Sequence, residues 1–232
     1  MKALKDDTAA DVRSDIAIQV GALFFVALIL LAFTTDPVAT GTREGDRAPP
    51  LEGKAYNGSG WTDFDLNDYL TPDWVSNDSS AAWVVVDFMD TDCPYCVRAS
   101  GDVYQYSNYF MKYAREDNGE PSWRGPLVHF IGSATQLDIA GHESSQQEIE
   151  DFRDRSGDSE CAGSPCSGRD GAVHQFTYID DLDQDNMKSW KIGGTPTYFL
   201  LQPDGIVAWA SSENPGETVS DAIFRLTEGL IE

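Results

Sequence analysis

Four cysteines occur in 232 residues, and they fall into two close pairs, Cys93/Cys96 and Cys161/Cys166. Thiols separated by two residues can reach disulfide geometry without large backbone movement, so such a pair opens and closes reversibly. Where the pair opens a helix, free backbone N–H groups and the positive helix end favour a thiolate on the first cysteine. Cys93 is therefore the expected attacking thiol, and Cys96, one turn in and less exposed, the expected resolving thiol. Pro94 suits the first helical turn, where no N–H partner is lost. The other chemistry open to four cysteines is a zinc site that uses both pairs. Here 64 residues separate the pairs, a layout unlike a compact zinc ribbon. Cys161 and Cys166 enclose four residues of a glycine-rich stretch. They read as a loop-stabilising disulfide, with an electron relay to Cys93/Cys96 as the sharper alternative.

The elements that must position these thiols follow from periodicity. Ala82–Met89 is a near-continuous β-branched and aromatic run, the pattern of a central strand buried on both faces. Asp87 is an ionisable group inside it and must find a partner, a water or a raised pKa. After TDCPYC, Val97, Tyr106, Phe110 and Tyr113 recur at helical spacing, so the first pair lies at a strand-to-helix junction. Leu127–Ile131 reads as a second strand and 143–155 as a polar surface helix. The stretch 157–171 reads as an irregular excursion. His174–Ile179 reads as a strand and Gln184–Trp190 as a short helix. Thr197–Gln202 and Ile206–Ala210 form a hairpin about Pro203-Asp204-Gly205. Val219, Ile223, Leu226 and Leu230 form the apolar stripe of a closing helix. His129, in the second strand, is placed to face Asp87 across the sheet, or is a hydrogen-bonded core histidine. Asp181, Asp183 and Asp185 alternate as in a calcium loop but lack its glycine and final acid, which leaves a turn capping the next helix. Trp190 and Tyr198 are candidates for a hydrophobic docking face.

Sixteen basic against 39 acidic residues leave a net charge of −23, which opposes attraction to phosphate backbones and excludes nucleic acid as a partner. A hydrophobic content of 41% supports a packed core and not a disordered chain. Ile16–Phe33 is an apolar run with Gln19 its only polar side chain, about the minimum for a spanning helix and longer than a signal-peptide core. Lys2, Lys5 and Arg13 precede it, which leans towards a cytoplasmic N-terminus. The expected organisation is a tail over 1–15, a transmembrane anchor over 16–33, a linker over 34–48 and one domain over 49–232. Asn57-Gly58-Ser59 and Asn77-Asp78-Ser79 fit a glycosylation pattern and serve as weak surface markers.

The segments VVVDFMDTDCPYC and GGTPTYFLLQPDGIVAW together resemble the thioredoxin superfamily, and the anchor and the Gly45-Asp46-Arg47-Ala48-Pro49 segment resemble its membrane-anchored, TlpA-like thiol–disulfide oxidoreductases. The resemblance runs from about Gly45 to the C-terminus. It implies an α/β thioredoxin fold with a four- or five-stranded mixed sheet flanked by helices. It also implies that Cys93 attacks, Cys96 resolves, and Thr195-Pro196 is a cis peptide facing them. Asp87 matches the buried acid that assists deprotonation of the resolving thiol. Two positions depart from the pattern: Asp92 replaces a common tryptophan, with Asp90 nearby, and the dipeptide between the cysteines is Pro94-Tyr95, as in glutaredoxins. The first adds negative charge that disfavours a Cys93 thiolate, and the second leaves the direction of electron flow open. A copper-delivery relative would want a three-residue gap and a matched histidine. His174 is present, but the gap is two.

The expected function is a single-pass, membrane-tethered thiol–disulfide oxidoreductase with its soluble domain outside the cytoplasm, acting on protein dithiols or disulfides. A further redox partner is implied and no bound cofactor is required. Cys93, Cys96, Asp87 and Pro196 would carry the chemistry, and Pro94, Tyr95 and Thr195 would contact substrate. The alternative is a module that binds or delivers zinc or copper.

Overall fold

The structure, a computed structural model, describes residues 8–34, 38–76, 78–111, 116–117, 120–121 and 123–228, with side chains throughout except at 8–15, 31–34, 116–117 and 120–121. Asn77, Tyr113 and Leu230 lie outside the described residues. The chain divides into two compact units, Met1–Val38 and Ala39–Glu232. The first contains helix α1, Thr8–Thr34, which covers the apolar run. Among the described residues no helix is long and apolar enough to cross a membrane, and side chains 31–33 of the run fall outside that description.

The second unit is built on one seven-stranded sheet of β1 (Glu52–Tyr56), β2 (Trp61–Asp65), β3 (Trp83–Met89), β4 (Val128–Thr135), β5 (Thr177–Asp181), β6 (Thr197–Leu201) and β7 (Val207–Ala210). Their spatial order is β7-β6-β3-β4-β5-β1-β2. The β3, β4 and β5 ladders are parallel and the rest antiparallel. Helix α2 (Pro94–Phe110) connects β3 to β4, and α3 (Gln146–Asp154) lies between β4 and β5. Helix α4 (Asp185–Ser189) precedes β6, and α5 (Val219–Thr227) follows β7.

Burial explains the centre of this order. Every residue of β3 is buried, as its unbroken apolar pattern requires of a strand covered on both faces. Alternation then divides the core in two. Trp83, Val85, Met89, Val128 and Phe130 pack beside Val103 and Phe110 of α2, Phe152 of α3 and Ile223 of α5. Val84, Val86, Phe88, Ile131, Phe199 and Trp190 form the opposite core. Asp87 shares parity with Val85 and Met89, so it points into the layer that holds the cysteines.

Three expectations need correction. The five strands β7-β6-β3-β4-β5 match the sheet that the resemblance implies, but a hairpin, β1–β2, extends it to seven. The two strands are joined by the four-residue loop Asn57–Gly60, in which Asn57 N donates to Gly60 O and Gly58 takes φ +92. Residues 39–48 are tied into the domain and are not free linker: Gly45 N donates to Val207 O at 2.9 Å, and Ala48 N to Gly205 O at 2.9 Å. Helix α3 is shorter than expected and not a surface helix, since Ile149 and Phe152 are buried in the core and Glu148, Asp151 and Arg153 are buried beside them.

Candidate functional site

Strand β3 ends at Met89 and α2 begins at Pro94, so a four-residue turn delivers Cys93 to the N-cap of α2 with extended φ −81 and ψ 116. The turn is closed by Cys93 N donating to Asp90 O at 3.0 Å. Pro94 at the first helical position costs no hydrogen bond there. Cys93 and Cys96 are both free thiols and both buried. Between them Tyr95 is 67% exposed, and the Arg98 guanidinium lies 4.5 Å above its ring. The Thr195-Pro196 peptide is cis, as the resemblance implies, and the Cys93 thiol donates to Thr195 O at 3.4 Å.

This placement separates the two thiols electrostatically. A hydrogen bond from the Cys96 thiol is the largest influence on Cys93. Burial opposes it, and the Thr195 side chain and the backbone N–H groups of Cys96 and Tyr95 add to it. The result holds Cys93 down at about 5. Burial pushes Cys96 strongly upward, and its bond to Cys93 does the same. One thiol is thus poised as a thiolate and its neighbour as a proton carrier, the division that attack followed by resolution needs. Asp87 is buried with its Oδ1 lacking any hydrogen-bond partner, and burial pushes it up to about 8. Its charge and that of Cys96 act on one another. A carboxyl titrating there can take and return a proton near neutral pH.

His129 does not face Asp87. In the parallel β3–β4 register it lies beside Val84, whereas Asp87 lies beside Gly132, so the odd separation sends the two side chains to opposite faces. His129 instead meets the Tyr69 ring edge-on, with centroids 5.2 Å apart. The histidine in the Asp87 layer is His174, which accepts from Tyr178 Oη at 2.7 Å and donates to Ser100 O at 3.1 Å. Burial, with Arg169 and Arg153 nearby, pushes it down to about 3, so it is neutral with both ring nitrogens engaged. That leaves it no lone pair for copper.

Cys161 and Cys166 are joined in a disulfide, both buried. A site drawing thiolates from both pairs is closed while that bond stands, and no group of three or more metal-ligating side chains forms among the described residues. Asp181 caps α4, accepting from Asn186 N at 2.8 Å and Met187 N at 2.9 Å. Trp190 is not part of a docking face. It is fully buried, and its Nε1 donates to Pro50 O at 2.9 Å. A groove of about 470 Å³ does open beside Pro196, lined by Tyr106, Phe130, Tyr198 and Trp209 and reached by Asp87.

Two residues near the thiols escaped the sequence reading. His142 Nδ1 lies 2.6 Å from Oδ2 of Asp90, which is completely buried. Glu148 of α3 is pushed up to about 7, first by burial, with Asp92 and Asp90 adding to it. Neither carries a local signal, because each meets the turn before Cys93 only through the packing of the β4–α3 segment.

No protein-family profile and no curated protein matches this sequence. Solved structures with a similar fold include MTB DsbF, captured in mixed oxidised and reduced forms, at 19% identity and TM-score 0.46. The match covers 78% of this chain and 94% of that one. The thioredoxin domain of a Bacteroides vulgatus thiol–disulfide oxidoreductase matches at 17% identity and TM-score 0.45, over 82% of this chain and 99% of that one. A reduced 2-Cys peroxiredoxin from Plasmodium vivax matches at 14% identity and TM-score 0.45, over 82% and 81%. These likenesses concern the fold alone.

Proposed function

We propose that this protein is a thiol–disulfide oxidoreductase acting on protein dithiols or disulfides. One observation carries the reading: two reduced cysteines at the N-terminus of α2 have oppositely displaced pKa values, with the buried Asp87 carboxyl, its Oδ1 unpaired, lining a small cavity with Cys96. In the reductive direction the Cys93 thiolate attacks one sulfur of a partner disulfide. A mixed disulfide forms and a partner thiolate leaves. Cys96 then gives its proton to the ionised form of Asp87 and attacks Cys93 Sγ, which expels the second partner thiolate. Two electrons pass to the partner and Cys93–Cys96 becomes the disulfide. Run backwards, the same steps oxidise a partner dithiol. Exposed Tyr95, with Pro94, Thr195 and Pro196, borders the position the partner sulfur takes. The adjoining groove offers its aromatic lining to an apolar side chain of the partner.

The same proposal places the domain outside the cytoplasm on a single helix drawn from Ile16–Phe33. The apolar run and the Cys161–Cys166 disulfide support this, since such bonds persist in oxidising compartments. Extraction of membranes at alkaline pH and protease access from either side test it.

The redox reading is tested by equilibrating the protein in graded dithiol buffers and following the Cys93/Cys96 pair by alkylation and mass. A cooperative two-electron transition is expected, at about −270 mV for a reductase or about −120 mV for an oxidase. Thiols that resist oxidation and alkylation until a chelator is added would replace this reading with the metal-binding one.

A further inference from the structure

The turn before Cys93 carries two aspartates, and from charge alone they should work against a thiolate. The structure shows what answers them. Asp90 is a buried hub: its Oδ1 accepts from Asp92 N at 2.8 Å, its Oδ2 from Leu137 N at 2.9 Å, and His142 Nδ1 meets the same Oδ2 at 2.6 Å. The β4–α3 segment closes on this turn at two further points. Thr91 Oγ1 bonds to Ser144 Oγ at 2.9 Å, and Glu143 N donates to Asp92 Oδ2 at 3.0 Å. His142 is itself held by Gln136 Nε2, which donates to the His142 carbonyl at 2.8 Å. Asp90 O in turn accepts the Cys93 N–H, so the bonds run from the imidazole through Asp90 to the attacking cysteine.

We propose that His142 is a positioning residue for the dithiol: paired with buried Asp90, its ring fixes the turn that presents Cys93 and offsets the negative charge beside the thiolate. The proposal rests on the redox reading of Cys93 and Cys96. The groups acting on His142 are Asp90, Asp92 and Cys93 from the turn, with Glu143 adjacent in its own segment; Glu148 on α3 feels the same Asp92 and Asp90 charges. Burial works against a charged ring, but the bond and charge of Asp90, then the charges of Asp92 and Cys93, outweigh it and raise His142 above its ordinary value. The influence is mutual, since a charge that steadies a thiolate is steadied by it.

Two measurements on the full chain test this, the first on its reduced form and the second on both redox forms. The first is the pH profile of Cys93 alkylation by iodoacetamide, read by mass, in wild type, His142→Gln and His142→Lys. His142→Gln is expected to raise the Cys93 midpoint by about 0.5–1 pH unit, roughly three- to tenfold less thiolate at a given acidic pH, with His142→Lys recovering part of it. An unchanged midpoint in a folded His142→Gln protein overturns the proposal. The second needs no variant: by NMR the His142 ring of wild type titrates at higher pH when Cys93 is a thiolate than when Cys93–Cys96 is a disulfide. Equal midpoints in the two states overturn the proposal even if both variants fail to fold. Loss of the underlying redox reading is told apart from this, because there the cysteines would not interconvert in the dithiol buffers at all.

Discussion

Cys93 Sγ lies 3.4 Å from the carbonyl oxygen of Thr195, 102 residues away in sequence. Two loops at one end of the sheet thus meet at a single sulfur: the β3–α2 turn brings the thiol, and the segment before β6 brings the backbone that faces it. In the proposed reaction a partner disulfide would meet Cys93 beside this contact and the exposed Tyr95.

The first prediction concerns order of attack. Cys93 is held near 5 and Cys96 far above the ordinary thiol range, so alkylation at pH 6–7 should modify Cys93 and leave Cys96 intact. Cys96→Ser should accumulate a mixed disulfide with a partner, and Cys93→Ser should form none. Peptide mapping of the trapped adduct decides it, and an adduct through Cys96 would reverse the roles.

The second concerns Asp87. Its folded pKa of about 8 lies above the unfolded carboxylate range, so the folded state holds a proton that the unfolded state releases. Stability is therefore unaffected below about pH 4, falls as pH rises towards 8, and levels off above. Asp87→Asn should match wild type in stability near pH 3.5 and exceed it by about 1–3 kcal/mol near pH 8. Resolution of the mixed disulfide should slow in the same variant. Denaturant melts at the two pH values check the first claim, and stopped-flow release of partner thiol the second.

The third concerns the second pair. The Cys161–Cys166 bond closes a short loop, with a sequence separation of 5. Replacing both by serine should cost about 2 kcal/mol in the chain-entropy account, a fall in Tm of several degrees. Disulfide turnover at a temperature where both proteins are folded should not change. A loss of turnover would make the pair an electron relay.

The fourth concerns Gly132, the residue beside Asp87 in the register. A Cβ there would sit 2.7 Å from the Tyr178 ring, whose hydroxyl bonds His174. Gly132→Ala should destabilise the domain by about 1–3 kcal/mol and disturb the layer around Asp87. Calorimetry gives the first value, and a displaced His174 ring resonance marks the second effect.

Local patterns dictate several features without reference to the rest of the chain. The run Trp83–Met89 has to be a strand buried on both faces, and Pro94 with the spacing beyond it has to begin a helix, so the Cys93/Cys96 junction was legible. The Pro203–Gly205 hairpin and the Asp181 cap are likewise set within a few residues. The β1–β2 hairpin was not read from the sequence, where Asn57-Gly58-Ser59 stood only as a glycosylation pattern; its pairing beside β5 is a tertiary contact. Which side chains meet depends on long-range packing. Register sent His129 to the face opposite Asp87, because a separation of three along a strand reverses the side. Packing drew Trp190 inside against Phe88 and Phe199, where a sequence neighbour of the Pro196 loop could equally have lain on the surface. The pairing of Asp90 with His142 spans 52 residues and arises only when the β4–α3 segment folds over the turn. No periodicity encodes such a contact, since it depends on where two loops end in space and not on the residues next to either.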